Sequence, residues 1–403
     1  MTNVALLHYS APPIVGGVES VLGHQARLMA DAGHQVRIVA GRGEQTDPRI
    51  PFVQVPMADS RHPNVLSLKA ELDQGRVPPG FEEVVDSLTA NLKEALDDAD
   101  VLIAHNVCSL NKNLALTAAV RKLSNGLRIV LWHHDLAWTT PRYQDELHDG
   151  YPWDLLRQDW DGVQQVTISD MRQQELADLL QIEKSKISVI PNGVDVPYFH
   201  KMDTQTREYI RQLNLLNSAP LLLLPVRITP RKNIELALRV CAHLLHHFPD
   251  TKLIVTGPLG PHNPANVSYF EKLDSLRAEL QLDHAVHFLA ELTEEYIPDS
   301  VISDFYHLAD MLFMPSQEEG FGIPILEAGL AGLPIFCSDI PPLKTLGGSN
   351  ATYFSPDADP AELANRILNR LAFDPIFRMR TRVRREFSWE GIYARSIAPL
   401  LVL

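Results

Sequence analysis

The chain is poor in cysteine, with three in 403 residues: Cys108, Cys241 and Cys337. They lie far apart and form no C-x-x-C pair. An odd and sparse count of this kind predicts reduced thiols and a cytoplasmic protein.

Basic charge and long apolar runs are also scarce. The formal net charge of −14 argues against nucleic acid as the main partner, because phosphate binding needs a basic surface. The basic run Arg378–Arg385 is interpreted as a solvated helix face. No apolar run approaches the ~18 residues that a bilayer span needs, and the first residues resemble a strand, not a signal peptide. Peripheral contact with the inner membrane face stays open.

Short apolar runs alternate with helical patterns in both halves, which predicts two α/β units with parallel sheets covered by helices. The length of 403 residues exceeds one ordinary core. The expected boundary lies near residue 200, with domains at 1–198 and 199–384 and a final helix at 385–403. The predicted strands are 4–8, 35–40, 101–105, 129–133, 166–169, 221–224, 252–256, 286–289, 311–314, 335–338 and 352–354.

The segment from Glu319 to Glu327 carries the clearest functional signal. A predicted strand, 311–314, precedes it, and Pro324 suits the first position of a helix. The free N–H groups of a helix start favour an anion such as a diphosphate. Carboxylates on either side of that start are good partners for sugar and ribose hydroxyls. The turn between them contains Gly320, Phe321 and Gly322.

A second signal is the basic turn that follows the predicted strand 221–224. Arg227 and Lys232 can neutralise a diphosphate leaving group, with Arg providing a fixed fork and Lys a mobile charge. Such cations stabilise the charge that grows as the bond from phosphate to sugar breaks. Arg231 is expected to be exposed and dispensable. Alone, the turn is as consistent with a solvated basic loop.

The first half offers a glycine pair and two histidines. Gly16 and Gly17 stand between the first strand and the first helix, where they can admit a ligand or simply form a turn. They are not part of a G-x-G-x-x-G fingerprint, which disfavours a dinucleotide oxidoreductase. His134, with His133 as the alternative, follows a strand, and adjacent residues face opposite ways. No further ligands at metal-site spacing accompany them.

Two asparagines and three aspartate pairs complete the candidates. Asn106, after the predicted strand 101–105, and Asn192, in a turn at the end of the first half, are weaker candidates for the acceptor side or the cleft. The D-x-D pairs at 98–100, 159–161 and 357–359 resemble turns or strand entries, so they are interpreted as structural, not as metal ligands.

The two-Glu segment resembles the E-x7-E motif of retaining glycosyltransferases of family 4, which have the GT-B fold. That fold has two Rossmann-like doubly wound domains facing a central cleft. By this resemblance Glu319 holds the donor sugar and Glu327 the ribose. Arg227 and Lys232 match the family's phosphate pair. Gly16 and Gly17 match its glycine loop near the donor, and His134 its histidine near the reacting sugar.

The resemblance implies an enzyme that moves a hexose from a UDP-, GDP- or ADP-sugar to a small-molecule, glycan or lipid hydroxyl. It would retain the anomeric configuration and need neither metal nor cofactor. The N-terminal domain would hold the acceptor, and domain closure would exclude water. A nucleotide-sugar epimerase or hydrolase, and a non-catalytic nucleotide-sugar-binding protein, remain alternatives.

One departure from the family is the proline-rich stretch 257–264, which is longer than the usual glycine turn. It leaves the base preference of the expected donor site open.

Overall fold

A computed structural model describes residues 1–258, 264–293 and 295–402. The chain divides into two compact units. The first domain comprises Met1–Gly193 and the segment from Trp389 onward, and the second comprises Val194–Ser388. The boundaries expected from the sequence, after residues 198 and 384, lie a few residues away. Which domain holds the acceptor and which the donor stays a prediction.

The first domain is built on one parallel sheet. Its strands are ordered β3-β2-β1-β4-β5-β6-β7, and its elements are β1 Asn3–Ser10, α1 Gly17–Asp31, β2 Gln35–Arg42, β3 Phe52–Gln54, α2 Pro63–Leu72, α3 Phe81–Ala95, β4 Val101–His105, α4 Leu114–Leu123, β5 Arg128–His133, β6 Gln164–Thr167, α5 Asp170–Leu180 and β7 Ile187–Val189.

The central strands of this sheet are apolar along their length because helices cover both faces. Every residue of β4 is buried, as expected for a strand without a solvent face. The covering helices contribute one apolar stripe each. In α3 the buried Val85, Leu88 and Leu92 recur at helical spacing and join the same core cluster as Leu116 of α4.

The second domain has the same plan with six parallel strands, ordered β10-β9-β8-β11-β12-β13. Its elements are α6 Val196–Phe199, α7 Thr204–Gln212, β8 Leu221–Leu224, α8 Ile234–Leu245, β9 Lys252–Val255, α9 Pro264–Glu279, β10 Val286–Phe288, α10 Asp299–Leu308, β11 Met311–Met314, α11 Ile323–Leu330, β12 Ile335–Ser338, α12 Pro341–Gly347, β13 Thr352–Phe354, α13 Pro360–Ala372 and α14 Pro375–Glu386. Within the described ranges, every helix is too short or too polar to traverse a bilayer.

Each sheet reverses its strand order beside the first strand of its domain. In the first domain β1 lies between β2 and β4, and in the second β8 lies between β9 and β11. At such a reversal, the loops after the two strands leave toward opposite faces, so a crevice opens at their carboxyl ends. Ligands of open α/β sheets bind at this position, called the topological switch point.

The final segment returns to the first domain. It begins with the short helix α15, Trp389–Ile392. Trp389, Ile392 and the later Ile397 are buried in the core that also contains Leu22 of α1. The sequence predicts a final helix over 385–403, whereas in the structure α14 ends at Glu386 and α15 begins at Trp389. The helix is interrupted after Glu386, where the Val194 N–H donates to the Phe387 carbonyl at 2.7 Å.

The three cysteines are buried and unpaired with one another. Burial raises the pKa of Cys241 and Cys337 to about 12. Both thiols are therefore protonated near neutral pH and behave as apolar core groups.

The basic run in α14 is not uniformly solvated, because Arg384 is buried. Its guanidinium lies 2.6 Å from Asp310 Oδ2 and donates to the Leu308 carbonyl at 2.7 Å. Asp310 Oδ2 also accepts the Leu221 N–H at 2.8 Å. Arg384 thus fastens α14 to the starts of the two strands that flank the switch point of the second domain.

Replacing Arg384 with alanine is predicted to destabilise the second domain by about 3–5 kcal/mol, since it leaves the Asp310 carboxylate buried without its cation. Arg378→Ala, which changes an exposed residue of the same helix, is the control and should cost less than ~0.5 kcal/mol. Urea unfolding measures both. Equal stability of the two variants would contradict the structural role of Arg384.

Candidate functional site

Lys232 and Glu319 meet at the switch point of the second domain. Lys232 follows β8 and Glu319 follows β11, the two strands at which the order reverses. Lys232 Nζ lies 2.6 Å from Glu319 Oε1, and the Ser316 hydroxyl donates to the same oxygen at 2.7 Å. The Lys232 and Glu319 side chains are only 9% and 7% exposed, so a cation and an anion are held together largely out of water.

Backbone contacts hold the two loops in this arrangement. The Gln317 N–H donates to the Arg231 carbonyl at 2.8 Å, which joins the loop after β11 to the loop after β8. The Arg231 side chain is exposed, as the sequence suggests. Arg227 is exposed as well, so it adds an accessible positive charge to the same loop.

In the turn that separates the two glutamates, position 322 accepts only glycine without strain. Its φ of +104° is unfavourable for other residues, and a Cβ there would lie 2.5 Å from Leu343 Cδ2. Gly320 has open space around it, and Phe321 is 56% exposed. The helix α11 begins one residue earlier than expected, at Ile323, so Pro324 is its second residue.

Glu327 lies inside α11 and is held from another helix. The Tyr306 hydroxyl of α10 donates to Glu327 Oε2 at 2.6 Å. Among the residues that the structure describes, no hydrogen bond joins Glu327 to Glu319. The two carboxylates are therefore fixed independently, each by its own neighbours.

Asn106 organises the switch point of the first domain. It directly follows β4 and has a φ of +58°, a conformation that Asn tolerates better than most residues. Its side-chain oxygen accepts the backbone N–H groups of His134 at 2.7 Å and of Asp135 at 3.2 Å. Asn106 thereby fixes the chain after β5 against the end of β4.

Three histidines form a buried chain beside Asn106. His105 Nδ1 lies 3.2 Å from His134 Nε2, so one nitrogen donates to the other, and His8 Nδ1 donates to the His105 carbonyl at 2.8 Å. Burial and repulsion from His8 and His133 lower the pKa of His134 to about 3. Burial also lowers the pKa of His105 and His8. At neutral pH these rings are uncharged.

His133 points elsewhere. Its Nε2 donates to Gln165 Oε1 of β6 at 2.8 Å. Burial lowers its pKa to about 4, against the opposing effect of the Gln165 bond. The two adjacent histidines therefore contact opposite neighbouring strands.

Gly16 and Gly17 differ in the space around them. A Cβ there would lie 2.0 Å from Glu19 Oε2, whereas Gly17 has no neighbour within 4 Å of such an atom. The Ser10 hydroxyl donates to Glu19 Oε1 at 2.6 Å. Gly16 therefore makes room for a carboxylate at the start of α1, where the helix dipole favours negative charge.

Some candidates lie apart from these clusters. Asn192 is exposed after β7, the edge strand of its sheet, away from the β1–β4 switch point. Asp100 accepts the Asn3 N–H, and Asp359 caps α13. Among the described residues, no three His, Cys, Asp or Glu side chains are placed to share a metal ion. Most of the proline-rich stretch, residues 259–263, lies outside the described residues.

The sequence interpretation missed several side chains at the two switch points. Ser316 could have been noticed, since it stands three residues before Glu319 just after a strand. Glu19, Ser10 and His8 flank the glycine loop but carry no motif of their own. Tyr306 has no local signal, because its contact with Glu327 depends on the packing of α10 against α11.

Two protein-family models match the chain. The model described as Glycosyltransferase Family 4 matches residues 15–197, and the model described as Glycosyl transferases group 1 matches residues 205–385.

Curated relatives match at low sequence identity. The mannosylglucosylglycerate synthase of Petrotoga mobilis is 25% identical over 74% of both chains. The D-inositol 3-phosphate glycosyltransferase of a Nocardioides species is 27% identical over 58% of this chain, and the match spans 54% of that relative. Among solved structures, the sucrose-phosphate synthase of Thermosynechococcus elongatus covers 99% of this chain at 18% identity, with a TM-score of 0.38.

Lys232→Met and Glu319→Gln are each predicted to destabilise the second domain by a few kcal/mol, because each leaves its buried partner uncompensated. The double variant should lose less than the sum of the two. The exposed pair Lys344–Asp339, with side chains 57% and 45% exposed, is the control. Lys344→Met should cost at most about 1 kcal/mol. Chemical unfolding of the four variants measures these effects, and strict additivity would contradict the coupling.

The buried histidines predict a loss of stability in acid. The folded state binds fewer protons than the unfolded state between pH 6.5 and about 4, the lowered pKa of His133. Stability should therefore fall with falling pH in this window, by roughly 1.4 kcal/mol per pH unit for each such histidine.

His133→Gln, which can keep the bond to Gln165, should reduce this dependence. The melting temperature is compared at pH 7 and pH 4.5 for wild type, His133→Gln and the control His247→Gln, which changes an exposed residue. A pH dependence unchanged in His133→Gln would show that His133 is not held neutral.

Proposed function

Because the chain belongs to the family 4 glycosyltransferases and has the two Rossmann-like domains of the GT-B fold, we propose that it transfers a hexose from a nucleoside diphosphate sugar to a hydroxyl acceptor. The transfer retains the anomeric configuration and needs no metal. The donor binds the second domain and the acceptor the first.

The observation that carries this proposal is the Lys232–Glu319 pair at the switch point of the second domain. A nucleoside diphosphate sugar presents two chemically different surfaces, an anionic diphosphate and a neutral polyol. A buried cation next to a buried carboxylate matches that combination, since ammonium groups bind phosphate and carboxylates accept bonds from hydroxyls.

Each residue then has a defined function. Lys232 and the exposed Arg227 neutralise the diphosphate, and Glu319 accepts hydrogen bonds from the sugar hydroxyls. Glu327 accepts them from the ribose. The turn from Gly320 to Gly322 lets the donor approach the backbone at the start of α11, whose free N–H groups add to the positive potential.

Retention is explained by same-face attack. The bond from the anomeric carbon to the phosphate oxygen breaks while the acceptor oxygen bonds to the same face of that carbon. The departing phosphate takes the acceptor proton. Fixed cations favour phosphate departure, because the negative charge on the phosphate is larger in the transition state than in the bound donor. A glycosyl–protein adduct detected by mass spectrometry would instead demonstrate a covalent intermediate.

The first domain supplies uncharged groups for the acceptor. His134 is neutral at physiological pH because burial lowers its pKa to about 3. A neutral imidazole can donate a hydrogen bond to a hydroxyl or accept one from it. The names of the two curated relatives contain mannosylglucosylglycerate and D-inositol 3-phosphate, which are water-soluble compounds. They favour a small soluble acceptor over a lipid.

The test is release of nucleoside diphosphate from UDP-, GDP- and ADP-hexoses, with and without a panel of sugar, glycerate and inositol phosphate acceptors. Release that requires an acceptor supports transfer. Release without any acceptor indicates a hydrolase or epimerase, and nucleotide binding without turnover indicates a binding protein. Proton NMR of the product reports the anomeric configuration.

Lys232→Ala should lower kcat by about 10²–10³-fold, the effect of removing one preorganised group that stabilises transition-state charge. Arg231→Ala, which removes an exposed neighbouring cation, is the matched control and should leave kcat nearly unchanged. Normal turnover of Lys232→Ala at saturating donor would refute the phosphate role.

A further inference from the structure

The Glu327 carboxylate is held by a buried tyrosine that no motif contains. Tyr306 is 3% exposed, and its hydroxyl donates to Glu327 Oε2 at 2.6 Å. Burial and the nearby Glu327 raise the pKa of Tyr306 far above its usual value. The phenol therefore keeps its proton at any physiological pH and serves as a permanent donor.

This bond reduces the rotational freedom of the Glu327 carboxylate before a ligand binds. A glutamate on a helix surface samples several rotamers, and ordering it on binding reduces affinity. Here Oε2 is engaged from α10, and no further hydrogen bond to this carboxylate occurs among the residues that the structure describes. The bond to Oε2 therefore limits the rotation of the carboxylate, which restricts the direction of Oε1, and Oε2 keeps a lone pair for a second hydroxyl.

A fixed carboxylate suits a vicinal diol. The two hydroxyls of a ribose can each donate to the carboxylate, but only if its plane is correctly oriented. We propose that Tyr306 is a positioning residue that orients Glu327 toward the ribose diol of the donor, so that the site selects ribonucleotides over 2′-deoxyribonucleotides. This inference rests on the proposed function, which places the ribose at Glu327.

The selectivity follows from the cost of an unmade bond. A 2′-deoxy nucleotide leaves one carboxylate lone pair without its hydroxyl after water has been displaced. A freely rotating carboxylate can turn back toward water and avoid that cost, whereas one fixed by Tyr306 cannot. Loss of the Tyr306 hydroxyl should therefore weaken ribonucleotide binding and leave deoxyribonucleotide binding unchanged or slightly stronger.

The experiment is isothermal titration with three pairs of nucleotides: UDP and 2′-deoxy-UDP, GDP and 2′-deoxy-GDP, ADP and 2′-deoxy-ADP. For the base that binds, the wild type should prefer the ribonucleotide by roughly tenfold, the value of one well-made hydrogen bond. Tyr306→Phe should reduce this preference several-fold, mainly by weakening the ribonucleotide. Glu327→Gln should reduce it as well, and adding Tyr306→Phe to Glu327→Gln should have little further effect.

The chain contains a matched control in the same domain. Tyr269 is buried, and its hydroxyl donates to Glu235 Oε2 and accepts the Ile234 N–H at the start of α8, so it holds a carboxylate to which the proposal assigns no contact with the ribose. Tyr269→Phe therefore removes a similar tyrosine–glutamate bond and should leave the ribose preference at the wild-type value. Circular dichroism and the melting temperature establish that each variant is folded.

The outcomes separate this inference from the proposed function. If none of the nucleotides binds the wild type, the proposed donor site is wrong and this inference falls with it. If ribonucleotides bind without preference over their deoxy forms, or if Tyr306→Phe weakens both forms equally, only the inference on Tyr306 is overturned. Should Tyr306→Phe fail to fold, the test uses Glu327→Gln, and an unchanged preference in that variant overturns both the ribose role of Glu327 in the proposed function and the inference on Tyr306.

Discussion

The reversal of strand order beside β8 is the constraint on which the candidate donor site depends. It places the loops after β8 and β11 next to each other, although Lys232 and Glu319 are far apart in sequence. The Gln317–Arg231 backbone bond then fixes the spacing between the loops. The salt bridge is held largely out of water, where a charge without a partner is costly. The same pairing can therefore stabilise the unliganded domain and present opposite charges to a ligand.

The first domain uses the same topology with different chemistry. Its reversal lies beside β1, and there the structure collects neutral histidines, Asn106 and the Glu19 carboxylate, not a salt bridge. Neutral imidazole and amide groups beside a carboxylate suit a hydroxyl compound better than a diphosphate. The two reversals therefore differ in chemistry, with a buried salt bridge in the second domain and mainly neutral polar groups in the first.

The sequence was sufficient for the two-domain α/β plan, because buried parallel strands are continuous apolar runs that pattern alone reveals. It also indicated Lys232 and Glu319, since both follow such runs. It could not reveal Tyr306 or the histidine chain, whose contacts depend on how separate elements pack. It misjudged the basic run of α14, where Arg384 is buried and paired with Asp310. It also misjudged the final helix expected at 385–403, which is interrupted where the Val194 N–H bonds to the Phe387 carbonyl. Both errors have long-range causes.

The decisive measurement is a thermal-shift panel of UDP, GDP and ADP and their hexose conjugates on wild type and Lys232→Ala. A nucleotide at about 100 times its Kd should stabilise the wild type by ~2.7 kcal/mol, enough for a visible rise in melting temperature. The switch-point site predicts that one base stands out and that Lys232→Ala loses most of the shift. A clear shift that is fully retained in Lys232→Ala would contradict it, as would the absence of any shift with every nucleotide.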